Sequence, residues 1–151
     1  MQNHLAMKIL AALDLSPASD KIISVLAGFA PRLQATVWLI HVAPPDPDFI
    51  GYDIGPKTER DFIAKKLHQL HLQIQEIARK HQSEGLNLIP LLVQGPTVET
   101  ILEQAKKLEV DFIAVGSHGH TRMQHLLAGS VSKELLKKSD IPLLVVPSGR
   151  D

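Results

Sequence analysis

Apolar residues gather in five short and nearly continuous runs along the chain. These runs cover residues 7–13, 35–42, 86–93, 110–115 and 141–146. Strands that are buried on both faces of a parallel sheet have such continuous apolar sequences, whereas half-exposed strands alternate apolar with polar residues. The pattern therefore predicts five buried, parallel β-strands.

The segments between these runs have the spacing of amphipathic helices. Apolar residues recur at every third or fourth position within residues 22–30, 63–81 and 98–108. Ser16-Pro17 fits an N-cap followed by a first helical residue, and Gly85 fits a helix C-terminus. This alternation of strands and helices predicts a parallel sheet with helices on both faces.

Two prolines indicate the order of the strands. Pro90 lies in the third run and Pro142 in the fifth, and proline cannot donate to a strand ladder, so both strands are expected at sheet edges. The order 3-2-1-4-5 has these two strands at its edges. We therefore predict a single doubly wound, Rossmann-like α/β domain over residues 1–151, with the proline-rich segment 43–57 as a loop.

A glycine motif follows the fourth run, at the point where the predicted strand order reverses and such folds bind ligands. Glycine lets backbone N–H groups approach an anion closely, and a helix N-terminus adds free N–H groups and a positive dipole end. The motif predicts a phosphate-binding site; the alternative is that its glycines serve tight turns only. It consists of Gly116-Ser117-His118-Gly119 and, opening the next predicted helix, Gly129-Ser130-Val131-Ser132.

Three further side chains are candidates for ligand contacts at this edge of the sheet. The Asp14 carboxylate can accept from a ribose hydroxyl or hold water around a metal ion; the alternative is a helix-capping role. The imidazole of His118, inside the glycine loop, can donate to a phosphate. Arg122 can reach the terminal phosphates, although an arginine in an exposed loop is as often merely solvated.

Composition excludes several classes of protein. Lys plus Arg and Asp plus Glu number 16 each, so the formal net charge is zero, and aromatic residues make up only 4% of the chain. Neither a basic face nor a stacking platform for nucleic acid is expected. The chain has no cysteine, which excludes disulfides and thiolate catalysis. No run is long enough to span a membrane and no export signal is recognisable, so we expect a cytoplasmic protein without a membrane partner.

The chain resembles the ATP-binding universal stress proteins along its whole length. Residues 116, 119, 129 and 130 reproduce that family's Gly-x-x-Gly, nine residues, Gly-Ser/Thr pattern. Asp14 with Ser16, Gly95-Pro96 before the third helix, and the Asp-Ile-Pro-Leu-Leu-Val-Val sequence at 140–146 match as well. The resemblance implies that ATP or a related adenine nucleotide binds here and that the protein has a stress-response or regulatory role.

The resemblance also implies where the base and the ribose lie. It puts Asp14 beside the nucleotide and the backbone of Val42 against the adenine. Walls of the adenine pocket are expected from three residues that are otherwise plain core, namely Ala12, Leu13 and Val115.

A dedicated metal site is not expected from the histidines near the glycine loop. His118, His120 and His125 have no cysteine or carboxylate beside them to complete a zinc site. A Mg²⁺ or Mn²⁺ ion bound through nucleotide phosphates near Asp14 fits better. The three histidines of the long second helix, expected at the surface or its boundary, are His68, His71 and His81.

Other functions on the same fold stay open at this level. A slow ATPase, or another ATP-using enzyme, is one alternative, although the chain lacks the Gly-x-x-x-x-Gly-Lys-Ser/Thr loop of many ATPases. An electron-transfer module that holds a flavin or dinucleotide is disfavoured because no Gly-x-Gly-x-x-Gly follows the first strand. A dimeric scaffold that no longer binds nucleotide is the third alternative.

The last predicted strand suggests a partner. Residues 141–146 are apolar and expected at a sheet edge, and a bare apolar edge invites pairing with another chain. A two-fold homodimer through this strand would cover it, and the family resemblance implies the same arrangement.

Overall fold

The computed structural model describes residues 6–43, 57–117 and 130–148, with the backbone alone at residues 57–59. The strands are β1 (Lys8–Ala12), β2 (Thr36–Ala43), β3 (Asn87–Gln94), β4 (Phe112–Gly116) and β5 (Leu143–Val146). The helices are α1 (Pro17–Ala27), α2 (Lys57–Gln82), α3 (Thr97–Leu108) and α4 (Ser130–Lys138), and a short 3₁₀ helix (Ala30–Leu33) precedes β2. None of the helices in the described ranges combines the length and the apolar character that crossing a bilayer requires.

The strands form one five-stranded sheet in the order β3-β2-β1-β4-β5, and all four pairings are parallel. The predicted fold and strand order are therefore confirmed. Pro90 lies in edge strand β3, opposite Leu39 of β2. Pro142 precedes edge strand β5, and its carbonyl accepts the N–H of Ile113 at 2.9 Å. Both prolines thus lie where a missing N–H donor costs least.

The central strand β1 divides the core into two layers. Its residues Ile9, Leu10 and Ala11 are fully buried. Ile9 and Ala11 belong to the cluster formed with α1 and α2, whereas Leu10 belongs to the cluster formed with α3 and α4. Successive side chains of a strand point to opposite faces, so this continuous apolar run serves both layers.

The helix boundaries follow the capping residues. Ser16 is the N-cap of α1: its hydroxyl accepts the N–H of Ala18 at 3.2 Å, and Pro17 is the first helical residue. Beyond α2, Gly85 has φ 80, a left-handed conformation that glycine adopts without a Cβ penalty. Both predicted helix signals are confirmed.

His81, near the end of α2, departs from the expected surface position. Only 5% of the residue is exposed. Its Nε2 lies 3.0 Å from an Asp20 carboxylate oxygen on α1, and its Nδ1 lies 3.1 Å from Glu84. Lys80 lies 3.6 Å from the same Asp20 oxygen. The expected surface position of His81 was wrong because the carboxylates of Asp20, which is distant in sequence, and Glu84 provide hydrogen-bond partners for both ring nitrogens. These partners offset the cost of burying the imidazole.

The Asp20–His81 contact makes stability depend on pH. The hydrogen bond from His81 holds the pKa of Asp20 below its usual value, and the charge of Lys80 adds to this. Because the folded-state pKa is lowered, the carboxylate contributes stability above its unfolded pKa, and the contribution is lost as pH falls through the folded pKa. We expect Asp20→Asn to lower the free energy of unfolding at pH 7 by at most about 1 kcal/mol, since the carboxylate is partly exposed.

Urea unfolding at pH 7 and at pH 3 measures this difference, with Glu103→Gln, an exposed acid on α3, as the control. The cost of Asp20→Asn should shrink at pH 3. A cost equal to that of the control at both pH values would contradict the stabilising role of the contact.

Candidate functional site

The candidate site lies at the carboxyl ends of the parallel strands, where the order of winding reverses between β1 and β4. Here β1 ends at Ala12, β4 ends at Gly116, and α4 begins at Ser130. The predicted site residues that the structure describes are Ala12, Leu13, Asp14, Val42, Val115, Gly116, Ser130, Val131 and Ser132. Those that lie outside the described residues are His118, Gly119, Arg122 and Gly129.

Asp14 organises the loop between β1 and α1. Its Oδ1 accepts the Ser16 N–H at 2.9 Å and the Ser16 hydroxyl at 2.6 Å. The Ser19 hydroxyl, one turn into α1, lies 3.3 Å from the same oxygen. For Asp14 the sequence left both ligand binding and helix capping open, and the structure shows that the carboxylate supports the start of the helix together with Ser16.

Leu15, between these two residues, has a left-handed backbone with φ 64. A side chain larger than hydrogen makes this conformation unfavourable by about 1 kcal/mol. The two bonds that the Asp14 carboxylate accepts from Ser16, across Leu15, hold the turn in place. The loop is therefore fixed by its own polar side chains before any ligand arrives.

Of the four residues expected around the adenine, three share one face of the sheet. Ala12, Val42 and Val115 belong to, or pack against, the cluster formed with α3 and α4. These residues come from the neighbouring strands β1, β2 and β4, and all three lie near the carboxyl edge, with Val42 two residues beyond the partner of Ala12. Leu13 belongs instead to the cluster on the other face, with α1 and α2, so its side chain does not join theirs.

The backbone of Leu13 extends the pairing of β1 with β2. Its N–H donates to the Ile40 carbonyl at 2.8 Å. Its carbonyl lies 2.8 Å from Nδ1 of His41, a half-buried residue of β2. Because a carbonyl oxygen can only accept, Nδ1 carries the proton in this contact.

Residues at the end of β4 connect the candidate phosphate loop to the end of β5. Gly116 pairs with Val146 of β5, and the Ser117 N–H donates to the Val146 carbonyl at 2.9 Å. The Ser117 hydroxyl in turn accepts the N–H of Ser148 at 3.2 Å. Ser117, the first serine of the glycine motif, is thus hydrogen-bonded both to edge strand β5 and to the segment that follows it.

The N-terminus of α4 completes the described part of the site. Ser130 is exposed, Val131 is half-buried and packs against the α3–α4 cluster, and Ser132 is buried. The first N–H groups of a helix have no partner within the helix, and its dipole favours an anion there. Within the described ranges, no group of three or more His, Asp and Glu side chains is arranged to hold a metal ion.

Two features of the site were missed from the sequence. One is the contact of His41 with the end of β1, and the other is the left-handed turn at Leu15. The available signal for His41 was a polar residue one position before the end of the apolar run 35–42. Nothing in the sequence marks Leu15, since left-handed turns are usually marked by glycine or asparagine.

Comparisons with known proteins agree with this architecture. The model of the universal stress protein family matches residues 6–147. The universal stress protein MJ0577 of Methanocaldococcus jannaschii is 32% identical over 151 residues, covering 92% of this chain and 93% of that protein.

Solved structures give the same result. The structure of hypothetical protein MJ0577 superimposes with a TM-score of 0.81 at 26% identity, covering 97% of this chain and 99% of that one. A universal stress protein in complex with cAMP superimposes with a TM-score of 0.68 at 19% identity, covering 95% and 98%. With the family match over nearly the whole chain, these comparisons show that this protein belongs to the universal stress protein family.

Proposed function

We propose that this chain is a regulatory stress-response protein that binds an adenine nucleotide, with ATP as the foremost candidate, at the carboxyl edge between β1 and β4. The observation that supports the proposal is that β1 and β4 are neighbouring parallel strands, so the Asp14 loop and the glycine motif that follow them leave the same edge of the sheet, and α4 is the next helix after β4. Open α/β sheets bind ligands at such reversal points. We propose that the protein works in the cytoplasm.

The phosphates, in this proposal, lie between the glycine loop and the first turn of α4. Gly116 and the serines 130 and 132 contribute from the described part of the site, with the backbone of Val131. Backbone N–H groups and a helix dipole together favour a multiply charged anion. The proposed contacts from residues outside the described ranges are those of His118, Gly119, Arg122 and Gly129.

The base and the ribose, in this proposal, lie toward β2. Ala12, Val42 and Val115 form the apolar wall on the α3–α4 face, and the backbone of Leu13 ends the neighbouring ladder. The Val42 backbone faces the adenine. A family structure with bound cAMP supports an adenine nucleotide as the ligand class, since cAMP and ATP share the base and the ribose.

A divalent ion, Mg²⁺ or Mn²⁺, accompanies the phosphates near Asp14 in this proposal. Such ions keep several waters and bind largely through phosphate oxygens rather than through an all-protein cage. Asp14 can hold one of these waters while its Oδ1 supports the loop. The carboxylate supplies the negative charge that offsets the ion.

We further propose that two copies of the chain pair through β5. Its side chains are only partly covered: Val145 is 37% exposed, and Leu143 and Leu144 are half-buried. Pairing of β5 with its copy across a two-fold axis would satisfy the free edge of the strand and cover these residues.

The nucleotide proposal is tested by calorimetric titration of nucleotide-stripped protein with ATP and Mg²⁺. We expect saturable binding at one site per chain. Gly119→Ala should weaken binding about tenfold or more, because in this proposal the loop approaches the phosphates closely and a Cβ would block a charge-assisted hydrogen bond. Gly28→Ala, at the end of α1 where φ is −68, is the matched control and should bind as the parent does. Failure of the parent protein to bind would favour the scaffold alternative.

The metal proposal is tested with Asp14→Asn, which keeps an acceptor oxygen for Ser16 but removes the charge. In the presence of Mg²⁺ we expect ATP affinity to fall about fivefold, the size of a charge interaction of roughly 1 kcal/mol. In EDTA the affinity should stay equal or rise, because a carboxylate no longer repels the phosphates. The same loss in both buffers would show that Asp14 acts without a metal.

The dimer proposal is tested by sedimentation at micromolar concentration. We expect the parent protein to sediment as a dimer and Val145→Lys to sediment as a monomer, since a lysine on the paired edge would bury a charge. Val25→Lys, at a comparably exposed valine of α1 (39%), is the control and should remain dimeric. A monomeric parent protein would overturn the proposal.

A further inference from the structure

Leu13 at the end of β1 bonds to β2 in two different ways. Its N–H donates to the Ile40 carbonyl at 2.8 Å, as the next bond of a parallel ladder would. Its carbonyl accepts from the side chain of His41, also at 2.8 Å. In a parallel ladder, a residue donates its N–H to the residue before its partner and accepts at its carbonyl from the residue after its partner. Leu13 would face His41, so the donor to its carbonyl in a continued ladder would be the N–H of Val42.

The Val42 N–H does not form that ladder bond. Within the described ranges, the N–H of Leu13 donates to Ile40, but the carbonyl of Leu13 accepts no backbone bond from Val42. Alternate residues of a strand direct their backbone groups to the same side. Since the Ile40 carbonyl faces β1, the N–H and the carbonyl of Val42 face that side as well. Val42 lies two residues beyond Ile40, which forms the last regular pair with Ala12. Its backbone groups are therefore at the edge of the candidate site.

We propose that His41 is a positioning residue that sets the base specificity of this site. The Leu13 carbonyl accepts from the imidazole and not from the Val42 N–H. A carbonyl can accept two hydrogen bonds, so in this proposal His41 acts by holding the end of β1 in a position that leaves the Val42 N–H and carbonyl outside the ladder. This inference rests on the proposed nucleotide-binding function and adds the residue that makes the Val42 backbone available.

The freed pair of groups is complementary to adenine. On its Watson–Crick edge, adenine presents an amino donor beside the N1 acceptor, which match a carbonyl acceptor and an N–H donor. Hypoxanthine presents a carbonyl oxygen and an N1–H at the same places, so both hydrogen bonds would be mismatched. A site built to hydrogen-bond one group discriminates strongly against an analogue that leaves its polar groups unpaired.

Two substitutions separate this role from a purely structural one. His41→Leu is of similar size but has no donor, so the side chain no longer holds the Leu13 carbonyl in place and the ladder can continue to the Val42 N–H. His41→Asn places a side-chain N–H close to the position of Nδ1 and preserves the contact. Thermal unfolding of both variants establishes that they are folded before either is compared with the parent protein.

The first measurement is amide hydrogen exchange without nucleotide, which tests the hydrogen bonds alone. We expect the Val42 amide to exchange quickly in the parent protein and in His41→Asn, and at least about tenfold more slowly in His41→Leu as the ladder closes. A protected Val42 amide in the parent protein, or one equally fast in all three proteins, would overturn the inference.

The second measurement compares the affinities for ATP and for ITP, which carries hypoxanthine. The parent protein and His41→Asn should prefer ATP by about tenfold or more, and His41→Leu should lose most of that preference. An unchanged ratio in His41→Leu would overturn the role in specificity. If the parent protein binds neither nucleotide, the proposed function fails and the specificity role fails with it, while the exchange measurement still decides whether His41 frees Val42.

Discussion

Parallel pairing of β1 with β2 on one side and with β4 on the other is the constraint on which the rest of the structure depends. It buries β1 completely, so Ile9, Leu10 and Ala11 must be apolar on both faces. It also makes the chain leave β1 and β4 at the same edge of the sheet, toward helices on opposite faces. The gap between the two outgoing loops is a consequence of this topology, and the candidate site occupies it.

Polar side chains then hold the site in shape at the ends of the strands. The Asp14 carboxylate and the Ser16 hydroxyl fix the turn into α1, and His41 holds the carbonyl that ends the β1 ladder. Ser117 connects the glycine motif to the end of β5. These contacts all lie at the ends of the strands, at the edge of the sheet that carries the candidate site.

The sheet could be predicted from the sequence because its determinants are local and repeated. Continuous apolar runs indicated buried strands, and Pro90 and Pro142 indicated the edges. The position of His81 could not be predicted, because its Asp20 partner is far away in sequence and only the docking of α2 against α1 brings them together. The contact of His41 was also missed because its partner is on another strand. That partner is a backbone carbonyl, which every residue has, so the sequence does not mark it.

We propose above all that an adenine nucleotide binds at the carboxyl edge between β1 and β4. Amide chemical-shift mapping of the nucleotide-free protein with Mg²⁺ and ATP tests it most directly. The account predicts that the largest saturable changes fall on Asp14, Val42, Gly116 and Ser130, which the topology brings to one edge. Changes confined to the opposite edge, where β1 and its neighbours begin, or no saturable changes at all, would contradict it.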